Sequence, residues 1–410
     1  MQINTCRFCE QHLNKTFIDL GTSPLSNSYL SDTDLQKKEI FYPLHVQICE
    51  NCFLVQLPEF ESPENIFSNY AYFSSYSASW LKHSEKYTQM MIDRFAIDDH
   101  WHVVEIASND GYLLQYFKEK NIPVLGIEPA ANVAAVAKEK GIPTISVFFG
   151  TAEAKKLAAS GKQARLLIGN NVLAHVPDLN DFVAGLKILL APEGVLTLEF
   201  PHLLRLMQEN QFDTIYHEHF SYFSLLTVQK VFEKYQLTIF DVEEVPVHGG
   251  SLRIFVKHST DQSKTISMRV NNLIQEEKKY GLDKIATYQD FSRKIVKLKH
   301  ELLEFVINAK KQGKKIAGYG APAKGNTLLN YCGIFTDLLP FTVDLNPFKQ
   351  NRFLPGTRIP VFHPDKIKEE KPDYLLLLPW NIKDEIMEQM SYIKEWGGKF
   401  IVPIPSLEII

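Results

Sequence analysis

The most unusual segment of the chain is Tyr216-His-Glu-His-Phe-Ser-Tyr222. Imidazole is the side chain whose free pKa lies closest to neutrality, so His217 and His219 beside Glu218 and Tyr216 suit proton abstraction from a weakly acidic substrate. A His-x-His pair also binds metals, but the helical His-Glu-x-x-His spacing of zinc proteases is absent here. His175, in Asn170-Asn-Val-Leu-Ala-His-Val-Pro, is a second candidate, since it follows the end of an expected strand. Tyr70, Tyr72 and Tyr76 form an aromatic run without amphipathic period, exposed unless it covers a pocket.

Cysteine offers a different chemistry. Four of the five cysteines stand as Cys6-x-x-Cys9 and Cys49-x-x-Cys52. Two such knuckles complete a tetrahedral thiolate set, so the pattern points to structural Zn2+ and away from disulfides or redox work. With every position taken by a thiolate, the metal holds the fold and does no chemistry. Residues 10–48 separate the pairs, longer than the usual ~15–20 of a zinc ribbon, so the insert must form strands of its own. Residues 41–48 alternate accordingly. Cys332, at the end of an expected helix, reads as a buried thiol.

Two loops have the form of nucleotide sites. Val103-Val-Glu-Ile-Ala-Ser-Asn-Asp-Gly111 carries Glu105 on a strand, then a small-residue turn through Ala107 and Asn109, then a helix. Small residues admit close backbone approach, and a helix start offers unpaired N–H groups. A complete G-x-G-x-x-G is missing, which weakens a dinucleotide reading. Glu128 ends the next strand, where a carboxylate accepts from both ribose hydroxyls of an adenosine. Asn170 ends a third. In that order these features favour S-adenosylmethionine (SAM) over NAD or a fold that binds nothing. The second loop, Gly318-Tyr-Gly-Ala-Pro-Ala-Lys324-Gly-Asn326, meets the context of a phosphate cradle, with Lys324 as a charge for a diphosphate.

The elements that must position these groups follow from periodicity. A helix is expected over 79–95. From 101 strands and helices alternate: strands over 101–106, 123–127, 165–169 and 194–200, with helices over 111–120, 130–140 and 179–190. That is the pattern of a doubly wound parallel sheet. A long helical stretch from 228 is expected next, then two strands, 237–245 and 251–258, forming a reversed hairpin as in methyltransferase-type sheets. Residues 260–312 read as a helical connector between domains. A second alternating set has strands over 315–319, 341–344, 374–379 and 399–403, with helices from 323 and over 383–389.

Composition agrees with a multidomain globular chain: 410 residues, 45% hydrophobic and 12% aromatic. Forty-four Lys and Arg against 48 Asp and Glu give a net charge of −4, which excludes a globally basic nucleic-acid binder. No run approaches the ~18 apolar residues of a membrane span, and the start lacks a charged-then-apolar leader. A cytoplasmic protein without membrane or nucleic-acid partners is expected.

These motifs together, with Tyr-His-Glu-His-Phe-Ser-Tyr-Phe-Ser, His-Gly-Gly-Ser-Leu-Arg and Gly-Tyr-Gly-Ala-Pro-Ala-Lys-Gly-Asn, resemble the sugar C-methyltransferases of deoxysugar biosynthesis over nearly the whole chain. The resemblance implies an α/β protein: a zinc-binding module at 1–72, a central class I SAM-dependent, Rossmann-like domain at 73–259, and at 260–410 a connector with a second Rossmann-like domain that helps hold the nucleotide sugar. It implies methylation at carbon 3 of a nucleotide-linked 4-keto-6-deoxy sugar through an enolate, by a monomer or weak oligomer. His219 is then the base, Tyr216 and Glu218 orient it or stabilise the enolate, and Tyr70 and His175 support the sugar. Glu105, Ala107, Asn109, Gly111, Glu128, Phe149 and Asn170 fall to SAM. Asn171, Tyr222, Arg253, Tyr319, Lys324 and Asn326 fall to the nucleotide sugar, Lys324 and Arg253 to its diphosphate. Ala107 stands where many SAM enzymes keep glycine. Methylation of oxygen or nitrogen on another small molecule, and a non-enzymatic binder docking through its zinc module, remain the alternatives.

Overall fold

The computed structural model describes residues 5–67, 73–76, 78–247 and 249–410. Tyr70 and Tyr72 lie outside them, while Tyr76 is exposed and packs on Phe73.

The N-terminal sheet is antiparallel: β1 (Lys15–Ser23) pairs with β2 (Tyr42–Ile48), and β2 with β3 (Val55–Gln56). Its two knuckles are copies of one turn. The amide of the residue after the second cysteine donates to the carbonyl of the first: Glu10 to Cys6 and Phe53 to Cys49. Both of those residues have φ 64, the left-handed conformation that closes the bend.

The central sheet contains β4 (Val103–Ile106), β5 (Val124–Ile127), β6 (Thr144–Ile145), β7 (Ala164–Asn170) and β8 (Leu190–Pro201), all parallel. The next strand, β9 (Ser221–Tyr222), leaves this sheet and pairs antiparallel with β3, so the N-terminal sheet takes its last strand from the middle of the chain. β10 (Leu237–Val245) and β11 (Ser251–His258) are the expected reversed hairpin, giving the order β10-β11-β8-β7-β4-β5-β6.

The C-terminal sheet runs β14-β15-β13-β12-β16-β17-β18. Its members are β12 (Ile316–Tyr319), β13 (Thr342–Val343), β14 (Arg352–Phe353), β15 (Pro360–Phe362), β16 (Tyr374–Leu377), β17 (Lys399–Val402) and β18 (Glu408–Ile409). The five inner strands are parallel and the two edges antiparallel. The connector is two helices, Met268–Tyr280 and Ile285–Lys311. The second bridges units: Phe291 stacks on Phe17 of β1 at 4.9 Å, and Phe305 meets Tyr374 of β16 edge-on at 5.1 Å.

Two expected helices are shorter than periodicity suggests. The stretch from 228 is the ten-residue helix Leu225–Lys234, capped at its start by the Ser224 side chain and ended where Gln236 turns left-handed (φ 57). The helix expected over 111–120 is regular only at Leu114–Lys118, because Asn109 and Gly111 are left-handed and the residues before it form a loop.

Candidate active site

The cofactor loop leaves β4 with Ala107, Asn109 and Gly111 all left-handed, at φ 55, 49 and 77. For Ala107 this costs about 1 kcal/mol, which explains the glycine preference at that place. At Gly111 any side chain would also meet Ile142, whose Cγ1 lies 2.8 Å from a built Cβ. Glu128, beyond β5, fixes the loop: Oε2 accepts from the Asn109 amide and Oε1 from the Ala130 amide, both at 2.9 Å. Burial raises its carboxyl pKa. Burial raises that of Glu105 well above its ordinary value, with Tyr112 opposing the shift. Asn170, at the end of β7, is buried, and among the described residues neither end of its side-chain amide has a partner. Buried polar groups left this way call for a ligand. Phe149 is half-buried, edge-on to Phe182. The loop therefore fits a nucleotide cofactor such as SAM: small left-handed residues past the first strand, a carboxylate past the second, and a buried amide at the end of β7.

A second set of contacts, silent in the sequence, covers this loop. The Ser74 amide donates to Asn109 Oδ1 at 2.9 Å, and the Ser75 hydroxyl bonds Asp110. Lys140 pairs with the same Asp110 oxygen at 2.9 Å.

The His-Glu-His segment does not act as one cluster. His217 faces the N-terminal sheet, where Nε2–H donates to the Pro43 carbonyl at 3.2 Å and the ring packs against Tyr42 and Phe60. It is a packing residue, and the pair is not a chelate. His219 points elsewhere. Its Nδ1 lies 2.8 Å from the Thr214 carbonyl; a carbonyl only accepts, so Nδ1 carries the proton and the lone pair of the neutral ring is on Nε2. Around it stand Tyr216, His175 and Tyr222, with ring centroids at 4.1, 4.7 and 6.1 Å. Glu218 accepts from Asn27 Nδ2 at 2.6 Å, and burial pushes its carboxyl up to about 7. His175 is driven the other way, to about 4, because desolvation outweighs the opposing Glu218 carbonyl. It stays neutral.

Three units meet at this cluster. The Phe220 amide donates to the Ala174 carbonyl, and the Phe220 carbonyl accepts from Leu57 of the N-terminal module. Arg7, inside the first zinc knuckle, donates to the Pro177 and Leu57 carbonyls and lies 5.6 Å from the Phe220 ring. From the C-terminal unit, Thr327 Oγ1 donates to the Ile215 carbonyl at 2.9 Å and Asn326 Nδ2 to the Ser26 carbonyl at 2.6 Å. Lys324 Nζ bonds Asn381 Oδ1 at 2.9 Å and lies 4.5 Å from the Trp380 ring. Asn171 is left-handed, its amide on the Glu199 carbonyl at 2.7 Å.

Two expected ligands of the nucleotide sugar fit poorly. Arg253 is buried, with Nε and one terminal nitrogen on Glu199 and the other on Glu243, so its charge is already balanced and unsuited to a diphosphate. The Tyr319 hydroxyl is committed to Gln389 Oε1 at 3.2 Å.

The metal set fits zinc. The four sulfurs lie within 4.8 Å of one another, and two pairs, Cys6–Cys52 and Cys9–Cys49, are at 3.5 Å. Tetrahedral Zn–S bonds of about 2.3 Å place sulfurs about 3.8 Å apart. Cys332 is buried, its thiol pushed up to about 12.

Comparison with known proteins decides the family. The chain is 36% identical over 408 residues to the C-methyltransferase NovU of Streptomyces niveus, covering 100% of this chain and 97% of NovU. This chain belongs to the C-methyltransferase family. Residues 6–67 match the family described as "Putative zinc binding domain", 80–242 "Methyltransferase domain" and 246–405 "C-methyltransferase C-terminal domain". Among solved structures, magnesium protoporphyrin IX methyltransferase of Synechocystis is 12% identical, covering 43% of this chain and 78% of its own (TM-score 0.33). A SAM-dependent methyltransferase of Clostridium acetobutylicum is 12% identical over 43% and 91%, with a TM-score of 0.34. The full-length relative, the family matches and the cysteine cluster make this chain an enzyme that uses SAM and carries a structural Zn2+. Among the described residues no helix is long and apolar enough to cross a membrane.

Proposed function

We propose that this C-methyltransferase methylates carbon 3 of a nucleotide-linked 4-keto-6-deoxy sugar, with His219 as the base. The observation that carries the reading is the hydrogen bond from His219 Nδ1–H to the Thr214 carbonyl, which fixes the tautomer and puts the basic lone pair of the neutral ring on Nε2. A ketone at carbon 4 acidifies the hydrogen on carbon 3. His219 removes that proton, and the imidazolium formed keeps its Nδ1–H on the carbonyl, a charge-assisted bond stronger than the neutral one. SAM, when bound, supplies the electrophilic methyl group.

Glu218, with its carboxyl near 7, holds a proton for much of the neutral range and so offers a donor to the enolate oxygen. Tyr216 and His175 pack the ring of His219 and fix its plane. Tyr70, expected to support the sugar, lies outside the described residues. Glu128 takes the SAM ribose, with Glu105, Ala107, Asn109, Gly111, Phe149 and Asn170 around the remainder. Lys324 takes the diphosphate, with Asn171, Tyr222 and Asn326 lining the sugar side. The domain limits of the resemblance, 1–72, 73–259 and 260–410, are adopted with one reservation: β9 ties the first to the second. The enzyme acts in the cytoplasm as a monomer or weak oligomer, without nucleic-acid or membrane partners.

The test is incubation with labelled SAM and a panel of 4-keto-6-deoxy nucleotide sugars, followed by mass analysis of the sugar. Without SAM, solvent deuterium should enter carbon 3, and His219→Asn should abolish both reactions. Methylation of the panel by His219→Asn at the wild-type rate would end the reading.

A further inference from the structure

The carbonyl that fixes the tautomer of His219 belongs to a short turn, Phe212–Thr214, and this turn is gripped from the C-terminal unit on both sides. Within the turn, just before Thr214, Trp380 Nε1 donates to Asp213 Oδ2 at 2.7 Å. After it, Thr327 Oγ1 donates to the Ile215 carbonyl at 2.9 Å. Tyr331 packs edge-on against Phe212 at 5.4 Å. Asp213 and Thr327 are buried, so these bonds do not compete with water. The Thr214 carbonyl lies between the two anchors and cannot rotate while both hold.

Trp380 also carries Lys324, whose ammonium lies 4.5 Å from its ring and bonds the adjacent Asn381. One indole thus contacts both the cation assigned to the diphosphate and the turn that aims the base. A glycine preserves the fit: a Cβ on Gly249 would come within 2.8 Å of the Trp380 ring.

We infer that Trp380 and Thr327 are positioning residues for His219, through which the seating of the substrate diphosphate on the C-terminal unit is coupled to proton abstraction in the central one. This rests on His219 being the base. Neither residue need touch the reacting atoms; each holds the peptide that orients the imidazole.

The experiment uses the full-length zinc-loaded enzyme and a nucleotide sugar that the wild type turns over. Thr327→Val and Trp380→Phe each remove one anchoring hydrogen bond and keep most of the side-chain bulk. Both should lower kcat and the SAM-independent deuterium exchange at carbon 3 by about 10- to 100-fold, the scale of a base displaced by up to an ångström. SAM affinity and zinc content should stay at wild-type values. Thr327→Ser, which keeps the hydroxyl, should restore the rate. Because the two functions share Trp380, Lys324→Met combined with Trp380→Phe should lose less in kcat/KM than the product of the single losses.

Exchange retained in His219→Asn would remove the base itself. With that variant inactive, wild-type exchange in folded Thr327→Val and Trp380→Phe would overturn the inference and leave the base standing. A loss in Thr327→Ser as deep as in Thr327→Val would overturn it too. If Thr327→Val fails to fold, Trp380→Phe and the double variant decide alone.

Discussion

In the central unit Glu128 takes one amide from the cofactor loop, Asn109, and one from two residues further on, Ala130. Asp344 does the same after β13: Oδ2 accepts from Ala321 of the Gly318–Lys324 loop at 2.7 Å, and Oδ1 from Asn346 at 2.8 Å. The two α/β units thus share one device, an acid past the second strand that braces the loop past the first. They differ in what covers it. Next to Glu128 in the central unit the buried Glu105 carboxyl is held well above its ordinary pKa, and at the end of β7 the Asn170 amide has no partner among the described residues. Beside Asp344 lies Lys349, whose ammonium is 3.9 Å from the acid and donates to the Ala321 carbonyl at 2.8 Å. The second acid has a cation from its own chain; the first has none among the described residues. A glycine-rich loop and a following acid therefore describe a scaffold, and only the unpaired groups around them mark a site.

The heaviest test of this contrast is the metal, because both units lean on the N-terminal module. Arg7 reaches the central unit, while the Tyr29 hydroxyl bonds the Ala321 carbonyl and the Gly356 amide donates to Glu39. Structural zinc sites contribute about 10 kcal/mol or more to folding. Stripping the metal, or Cys49→Ser, should abolish methylation and lower Tm by well over 10 °C on the scale of such a loss, measured by scanning fluorimetry. SAM binding should suffer less than activity, since the cofactor loop is braced within the central unit.

Next in size is the exchange of the two acids. Glu128→Gln should weaken SAM about 100-fold by calorimetry, the worth of losing charged hydrogen bonds to ribose and loop. Asp344→Asn should leave SAM affinity within about twofold, as no SAM contact is lost. The reverse result would break the comparison.

A third prediction concerns Glu218, which lies between the units. Its folded carboxyl near 7 exceeds the ordinary value of about 4.3, so the folded state binds that proton more tightly. Its contribution to stability is full below about pH 4 and is lost as pH rises through about 7. Between pH 5 and 8 the wild type should lose about 2–3 kcal/mol relative to Glu218→Gln, read by denaturant unfolding at each pH. A flat difference would contradict the buried, proton-holding carboxyl. Smallest is Lys324→Met: KM for the nucleotide sugar should rise about 10-fold, one charged contact, with SAM affinity unchanged.

Much of the fold was legible in the sequence because its inner strands are continuous apolar runs; β10 and β11 have the bounds expected for the reversed hairpin, 237–245 and 251–258. The edges were not. β6 has two residues, and β15 begins with a proline, which periodicity does not register as strand. The helix Thr151–Ala159 also went unread. In the site, residue type found His219 but could not separate it from His217: two residues apart in a bend, they face different units. Asn27, Thr327 and Trp380 were invisible as partners, since hydrogen bonds between residues 112 to 191 positions apart leave no local pattern.

The two-residue strand β9 has a practical consequence. Its partner is the strand just after the second knuckle, and its last residue stands beside the imidazole ring. Grafting the cysteine-bearing head of a relative onto this chain would splice a foreign edge against Ser221 and Tyr222. A chimera that works should therefore swap residues 5–67 and 215–223 together, as a single cassette in two pieces.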